Sequence, residues 1–584
     1  MAAEQDQELI EVARGLRAAQ LTLKNARVID VFSGAIVQTG IALHRGRVAG
    51  LGDYDAAEVI DLEGRFVCPG FIDGHIHVES TMLTPPEFAR AVIPLGTTAV
   101  VIDPHEIANV LGEAGIEYML ESSHGLPVTF YVMLPSCVPT TAMETAGARL
   151  DSAALARLIG RERVIGIAEM MDYPGVLAGD PEVMAKLAVA GGRRVDGHAP
   201  GLSGKDLAAY AGAGISSEHE CVTAAEALEK LRAGMHIHLR EGSTARNLRE
   251  LIGVVDAGNS HHFSLVTDDR HPGDLLAEGH INYLVRLAIG EGVPPVTAIR
   301  MATLNTAVHY GLDRVGAVAP GYAADLLVLD DLKAVTVSRV FKDGREVARD
   351  GRAAGFDSPA PGGVIHDTVN IDIDSLEDLG VPAPAPGGRL RVIGIVPQQI
   401  VTEELRTEPL IENGLAVADP GRDILKLTVI ERHHASGNVG IGFVHGLGLK
   451  SGALASTVAH DSHNIIAAGV SDDDIRVAVR ELRRLGGGIA VAAAGEVLAS
   501  LALPVAGLMS DRPVAEVAAG AGQAIAAAAE LGCILPDPFI TMSFLALPVV
   551  PKLKLTDRGL VDVEQFRIVE LFVQGRADAG PRSG

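Results

Sequence analysis

Residues 66–77 read FVCPGFIDGHIH, a short apolar run that ends in two histidines two positions apart, His75 and His77. Seven further runs end in polar residues in the same way: TTAVVIDPHE (97–106), PVTFYVMLPSC (127–137), RVIGIAEM (163–170), RRVDGHAP (193–200), GISSEHE (214–220), GMHIHLREGS (234–243) and HFSLVTDDRHP (262–272). Most of them are followed by a helix-compatible stretch, such as LSGKDLAAYAGA (202–213). Eight such units in roughly 240 residues predict a (β/α)8 barrel, with the polar strand ends on its catalytic face.

The regions around this barrel predict a mixed α/β chain with two further parts. Short strands separated by Gly and Asp turns precede and follow it, so residues 1–69 plus 313–352 are expected to form one small discontinuous β-sandwich domain. The barrel would occupy residues 70–312, a Pro/Gly-rich linker 353–390, and an additional α/β C-terminal domain 391–584. A doubly wound open sheet is the alternative for the central part, but no GxGxxG follows its first strand.

Composition narrows the classes of function. The 584 residues are 48% hydrophobic and 21% charged, which excludes a disordered chain. A formal net charge of −25 disfavours binding to nucleic acid or to anionic membranes. The four cysteines form no CxxC pair, the first residues lack the apolar core of a signal peptide, and the apolar stretches are too short to span a bilayer. A reduced, cytoplasmic protein is expected.

Histidines and carboxylates at the predicted strand ends indicate a metal centre. In a strand, residues two apart point to the same side, so His75 and His77 can reach one ion. Barrel closure would add further candidates from the fourth, fifth, sixth and eighth strands: Glu169, His198, His219 and Asp268. Four imidazoles and two carboxylates exceed the needs of one tetrahedral ion and suit two divalent ions. The second HxH pair, His236 and His238, is not accompanied by further candidate ligands in this way and is interpreted as ordinary polar residues of the barrel.

These motifs, beginning with PGFIDGHIHVESTM, resemble the amidohydrolase superfamily, and more closely the bacterial adenine deaminases. The resemblance continues through DGHAPGLSGKDL, TDDRHPGDLL, STVAHDSHN, GLMSD and DPFITMSFLALPVVPKLKLTD and covers nearly the whole chain. It implies hydrolysis of adenine to hypoxanthine and ammonia by attack of a metal-bound hydroxide on C6. It also implies that Glu169 replaces the carboxylated lysine of many superfamily members. The implied cofactors are two Mn²⁺ or Fe²⁺ ions, with Zn²⁺ as the alternative.

Roles for single residues follow from the needs of this reaction. Asp268 is expected to take the proton of the hydroxide and pass it to the leaving amine, and Glu169 to protonate N1. His105, in DPHE, is the alternative proton donor or else a structural residue at its strand end. The expected substrate contacts are Glu79, Ser80, Arg270, His460 and Asp461. The last two belong to AHDSH, which would close the barrel mouth or else serve only a local turn.

Other functions are alternatives to the deamination of adenine by this metal site. His77-Val78-Glu79 matches the HxE element of zinc-dependent cytidine deaminases, but their PCxxC element is absent. Deamination of another small heterocycle, or cyclic-amide hydrolysis, would use the same metal face, but cyclic-amide hydrolysis normally requires a carboxylated lysine. A non-catalytic barrel scaffold would be expected to have lost ligands. The expected partner is a small purine base, and the expected assembly a homodimer or higher homo-oligomer.

Overall fold

The computed structural model describes residues 2–359, 365–397 and 399–574. Residues 360–364 of the predicted linker, and 398 and 575–584 of the predicted C-terminal domain, lie outside the described residues. The chain divides into two compact units, the first made of Met1–Pro104, Glu117–Ser136 and Asp151–Gly362, the second of His105–Ile116, Cys137–Leu150 and Gly363–Gly584. These cuts differ from the four-part division expected from the sequence, which stays a prediction.

The first unit contains the (β/α)8 barrel that the sequence predicts. Its eight parallel strands are, in chain order, Phe71–Ile76, Thr97–Ile102, Thr129–Leu134, Val164–Met170, Arg194–Gly197, Ser217–Glu218, His236–Arg240 and Phe263–Val266. The backbone N–H of Ser216 donates to Val195 O (2.9 Å), which joins the fifth strand to the sixth. The N–H of Asp268 donates to His75 O (3.0 Å), which closes the eighth strand onto the first. The predicted fold class is confirmed.

The composition of the strands explains why they form the interior. Thr97–Ile102 reads TTAVVI and is buried at every position, as expected for a parallel strand covered on both faces. The N-terminal helix of this unit is Ala2–Ala13, and helix Glu113–Ser122 begins in the second unit and ends in the first. The other α-helices of the first unit are Pro85–Val92, Ser152–Leu158, Tyr173–Ala178, Pro181–Val189, Gly204–Gly212, Ala224–Arg232, Leu248–Leu251, Pro272–Ala277, Ile281–Gly290, Pro295–Met301 and Leu304–Tyr310. The polar strand ends therefore gather at one face of a closed barrel.

The segments on either side of the barrel pair into one nine-stranded sheet. Its strands are Ala19–Ile29, Ile36–His44, Arg47–Leu51, Ala56–Asp61, Phe66–Pro69, Leu326–Asp331, Thr336–Lys342, Arg345–Arg349 and Arg352–Ala353. Phe66–Pro69 runs antiparallel to Leu326–Asp331, with Cys68 opposite Leu327. Inward-facing Leu23, Val28 and Val328 share one buried core. The barrel is thus inserted between two segments of the chain that together form this sheet.

The second unit is built on another nine-stranded sheet. Its strands are Gly388–Ile395, Thr402–Thr407, Ile424–Ile430, Val439–His445, Ala453–Ser456, Ile465–Gly469, Gly488–Ala493, Glu496–Ala502 and Phe572–Gln574. Alternate residues face opposite cores: Leu454 packs with the core of helix Val514–Glu530, and Ala455 with that of helix Asp472–Leu485. The remaining elements are a two-stranded sheet (Leu410–Glu412, Leu415–Val417), a three-stranded sheet (Leu553–Thr556, Gly559–Asp562, Arg567–Ile568) and helices His105–Leu111 and Pro538–Ser543.

Part of the predicted linker belongs to this second unit. Val369, Ile371, Leu376 and Leu379 are buried in the core under helix Asp472–Leu485. These apolar residues stand between the two Pro/Gly clusters, so the segment has enough apolar surface to pack and does not act as a plain spacer. Among the described helices, none combines the length and hydropathy needed to cross a membrane.

Candidate active site

The six predicted metal ligands of the barrel come together at its catalytic face. His75 is the penultimate residue of the first strand and His77 follows two positions later, so both imidazoles point into the barrel, with ring centroids 4.9 Å apart. The ring of His75 also stacks on that of His219 at 4.2 Å. Five of the six residues are buried and His198 is partly exposed. Strand ends from across the barrel thus form one compact cluster, here called the upper cluster: His75, His77, Glu169, His198, His219 and Asp268.

The carboxylate of Glu169 lies between two groups of imidazoles. Its Oε1 atom is 3.4 Å from Nε2 of His77. Its Oε2 atom is 2.7 Å from Nδ1 of His198 and 3.3 Å from Nε2 of His219. Each oxygen faces a different group, which is the arrangement that a carboxylate shared by two ions requires.

The carboxylate of Asp268 has two different environments. Its Oδ1 atom is 3.2 Å from Nε2 of His77 and 3.9 Å from Nε2 of His75. Its Oδ2 atom accepts a hydrogen bond from Nη1 of Arg240 at 2.8 Å. One oxygen is therefore held by a guanidinium while the other faces the imidazoles.

The tautomer of His77 provides a test of whether the cluster fits metal ions. Its Nδ1 atom lies 3.0 Å from the backbone oxygen of Asp103, which can only accept, so Nδ1 carries a proton. In the neutral ring Nε2 then presents a lone pair to carboxylate oxygens of Glu169 and Asp268, an arrangement that a metal cation between them would satisfy. The buried Nε2 of His75 has no hydrogen-bond partner in the described part of the chain. The donor set and its orientation fit divalent metal ions.

Electrostatics in the cluster favour cations. Burial alone would raise the pKa of Glu169, but hydrogen bonds and charge from His198 and His219 hold it well below its ordinary value. Burial likewise opposes ionisation of Asp268, and Arg240 with the nearby imidazoles holds its pKa well below normal. Burial would lower the pKa of His219, but the neighbouring carboxylates raise it to about 9, so without metal this ring carries a proton. Metal binding must displace such protons.

Two charged residues of this site were not singled out from the sequence. Arg240, the last residue of the seventh strand, donates to both carboxylate oxygens of Glu220 as well as to Asp268. Oε1 of Glu220 lies 3.5 Å from Nε2 of His219. Burial disfavours the charged form of Glu220, but Arg240 and the imidazoles lower its pKa. Their position at strand ends, within SSEHE and HIHLR, was the signal available in the sequence.

The substrate contacts expected in the barrel differ in their surroundings. Glu79 and Ser80 are buried in the short turn after His77, and the hydroxyl of Ser80 donates to Oδ1 of Asp269 at 2.5 Å. Arg270 is fully buried, and its guanidinium donates to Glu278 Oε2 at 2.7 Å and to nearby backbone oxygens. Arg270 therefore fixes the loop after the eighth strand. A role for it in binding substrate stays a prediction that these contacts do not support.

The second HxH pair lies outside the upper cluster. His236 and His238 are both buried on the seventh strand. Burial, together with the nearby His309, holds the pKa of both imidazoles well below the ordinary value. Nε2 of His236 lies 2.8 Å from the hydroxyl of Ser264. The contacts of this pair are therefore with Ser264, His309 and Tyr310.

The second unit contains its own buried polar cluster, formed by His105, Glu106, His460, Asp461 and His463. His105 begins helix His105–Leu111, and its Nε2 lies 3.7 Å from Oδ1 of Asp461. Nδ1 of His460 is 2.8 Å from Oε1 of Glu106, whose Oε2 contacts Nε2 of His463. His105 thus groups with His460 and Asp461. Glu106 was not singled out from the sequence, although it stands beside His105 in DPHE.

Two protein-family models match this chain, one in its first part and the other in its second. A model of the amidohydrolase family matches residues 66–347, which include the barrel and the upper cluster. A model of the adenine deaminase C-terminal domain matches residues 399–567. The fold and the site therefore define a hydrolase of the amidohydrolase class.

Curated relatives identify the particular family. The chain is 51% identical to adenine deaminase 2 of Carboxydothermus hydrogenoformans, over 96% of this chain and 98% of that protein. It is 49% identical to the adenine deaminase of Desulfatibacillum aliphaticivorans, over 97% and 100% of the two chains. The adenine deaminase of Methanothrix thermoacetophila is 48% identical over 97% and 100%. The chain belongs to the adenine deaminase family.

Proposed function

We propose that this protein catalyses the hydrolytic deamination of adenine: adenine and water give hypoxanthine and ammonia. The observation that carries the proposal is the convergence of four imidazoles and two carboxylates, with Glu169 facing both groups of imidazoles. Near-complete coverage of relatives named adenine deaminase supports the substrate. The lack of any lysine in RVIGIAEMMDYP (163–174) is consistent with a carboxylate in the bridging position.

Two divalent ions complete this site in the proposal. His75, His77 and Asp268 would hold one, His198 and His219 the other, and Glu169 would serve both. Mn²⁺ or Fe²⁺ are the proposed ions, with Zn²⁺ as the alternative, because all three accept imidazole and carboxylate ligands. When bound, such ions lower the pKa of water so that a nucleophile is available at neutral pH.

The carboxylates divide the proton transfers between them. Oδ2 of Asp268 is held by Arg240, and Oδ1 faces the cluster, where it would take a proton from the attacking water and deliver it to the departing amine. Because the pKa of Glu169 is held low, this carboxylate can protonate N1 only after it has itself received a proton. The attacking water would supply it: one of its two protons would pass through Glu169 to N1 and the other through Asp268 to the departing amine. His105 remains the alternative donor to N1. Glu79, Ser80, His460 and Asp461 remain proposed substrate contacts.

The proposal is tested by measuring ammonia release from a panel of compounds with protein reconstituted with Mn²⁺ or Fe²⁺. Adenine is expected to be converted, and the free base to be preferred over adenosine. Hydrolysis of hydantoin or dihydroorotate without conversion of adenine would replace the proposal with cyclic-amide hydrolysis. No turnover of any compound by metal-loaded protein would favour a non-catalytic scaffold.

Metal content gives an independent check on the ligands. The double variant His75→Ala, His77→Ala is expected to lose metal from the upper cluster, while His236→Ala keeps it. Equal loss in both would mean that the wrong pair was assigned. We further propose a cytoplasmic homodimer or higher homo-oligomer, which fractionation of cells and light scattering after gel filtration would test.

A further inference from the structure

A second polar layer lies in the barrel interior, toward the amino ends of the strands. Asp196, Ser217 and His238 each stand two residues before a residue of the catalytic face on the same segment. Because side chains two apart on a strand point to the same side, these residues form the next layer down. Such layers are ordinarily filled by Val, Ile and Leu. A carboxylate and an imidazole at this depth therefore call for a physical explanation.

The helix Leu304–Tyr310, which follows the eighth strand, adds a second imidazole to this layer. Asp196, His238 and His309 each offer one ligand atom, and these three atoms lie within 4.8 Å of one another. Nε2 of His309 is 3.8 Å from Oδ1 of Asp196. The exposed fractions of the three residues are 1%, 1% and 7%. Three buried donors thus converge on one point.

Two of the imidazole nitrogens lack hydrogen bonds. Nδ1 of His238 and Nε2 of His309 are buried and have no hydrogen-bond partner among the described residues. Leaving buried polar atoms unpaired is costly. The neighbouring His236 differs, since its Nε2 is satisfied by the hydroxyl of Ser264 at 2.8 Å. Among His236, His238 and His309, the unpaired nitrogens therefore belong to the two residues that converge with Asp196.

The carboxylate of Asp196 is held in place by two hydroxyl groups. Ser217 donates to its Oδ1 at 2.6 Å, and Tyr310 donates to its Oδ2 at 2.9 Å. In the described part of the chain, no lysine or arginine forms an ion pair with this buried carboxylate. Hydrogen bonds that orient a ligating carboxylate are typical of the surroundings of metal sites.

We propose that Asp196, His238 and His309 bind one divalent transition-metal ion, in addition to those of the upper cluster. Two imidazole nitrogens and one carboxylate oxygen form a donor set that Zn²⁺ and Fe²⁺ accept. The ligands come from the fifth strand, the seventh strand and helix Leu304–Tyr310, so the ion would tie this helix to the barrel interior. The inference does not depend on the reaction catalysed above.

Zinc binding by the full-length protein tests the proposal. The protein is stripped with a chelator, reloaded with Zn²⁺ and desalted, and zinc per chain is measured by mass spectrometry. His309→Gln is expected to lower the zinc content by about one equivalent relative to the wild type. The matched control His236→Gln changes a buried imidazole on the same strand, one layer further down, whose Nε2 already has a partner in Ser264, and should leave the zinc content unchanged.

Two further measurements keep the test decisive if His309→Gln folds poorly. Tyr310→Phe retains all three ligands but removes the hydroxyl that contacts both Asp196 and Nε2 of His238, and should weaken the binding of one equivalent of zinc by about 10–100-fold. Anomalous diffraction from zinc-loaded wild-type crystals should show a peak between the three ligands. Equal zinc content in the wild type and a folded His309→Gln, or no peak there while the upper cluster is loaded, overturns the proposal.

Discussion

Nη1 of Arg240 lies 2.8 Å from Oδ2 of Asp268, and the same guanidinium is paired with Glu220. All three side chains are buried. Because the arginine occupies one oxygen of Asp268, only the other oxygen is directed at His75 and His77. The ion pair therefore both orients Asp268 and keeps it ionised.

Replacing Arg240 should shift the pH profile of the reaction. In Arg240→Gln the positive charge beside Asp268 is lost, so the pKa of Asp268 rises and the acidic limb of kcat moves to higher pH. The measurement is a pH–rate profile of the metal-loaded variant. Arg246→Gln, which removes only partly exposed ion pairs with Asp274 and Glu278, is the control and should keep the wild-type profile. An unshifted acidic limb in a folded Arg240→Gln would contradict the proposed coupling.

Asp268→Asn should separate proton transfer from metal binding. The amide cannot accept the proton of the attacking water, yet it keeps an oxygen that can contact a metal. We expect kcat to fall by about 10² or more while much of the metal is retained. Measuring kcat and metal content on the same sample checks this, with Asp274→Asn in the following helix, Pro272–Ala277, as control. Full activity of Asp268→Asn would remove Asp268 from the mechanism.

Glu169→Gln should affect both activity and metal content. Its two oxygens face different groups of imidazoles, so loss of the negative charge weakens the attraction for both ions. We expect lower kcat together with reduced metal per chain, measured by elemental analysis. Full metal occupancy with lost activity would instead make Glu169 a pure proton donor to N1.

Glu144→Gln should change how stability depends on pH. Burial and the neighbouring Asp461 raise the pKa of Glu144 from 4.5 to about 8. A raised pKa means that the folded state prefers the protonated form, so this group's contribution is complete below pH 4.5 and is lost as pH rises toward 8. The neutral amide avoids that loss. The Tm of Glu144→Gln should therefore gain at least about 3 °C on the wild type between pH 5 and pH 8.

Thermal unfolding at the two pH values, followed by circular dichroism, measures this gain. The exposed Glu496 of the same unit provides a matched control, because Glu496→Gln should show the same pH dependence as the wild type. A constant difference in Tm between Glu144→Gln and the wild type would show that Glu144 is already ionised in the folded protein.

The barrel and its upper cluster could be predicted from the sequence because both depend on short-range regularities. Apolar runs that end in polar residues mark the strands, and a period of two places His75 and His77 on one side. Closure of the barrel then determines that Asp268, at the end of the last strand, must lie beside them.

Other features depend on contacts between distant segments and left little trace in the sequence. The pairing of Arg240 with Glu220 and Asp268 requires the geometry of neighbouring strands. His105 looks like a barrel residue because it follows the second strand, but its helix belongs to the compact unit that contains Asp461. The convergence of His238 with His309 depends on how a helix packs against the barrel interior, which spacing alone does not reveal.

Closure of the barrel has a consequence for synthesis of the protein. Asp73 on the first strand accepts hydrogen bonds from Thr267, 194 residues further along the chain. A ribosome must therefore release the whole eighth strand before the upper cluster can be complete. Nascent chains that end earlier contain His75 and His77 but not Asp268, so the upper cluster is incomplete in them. All six of its residues are present only after the catalytic half of the protein has been translated.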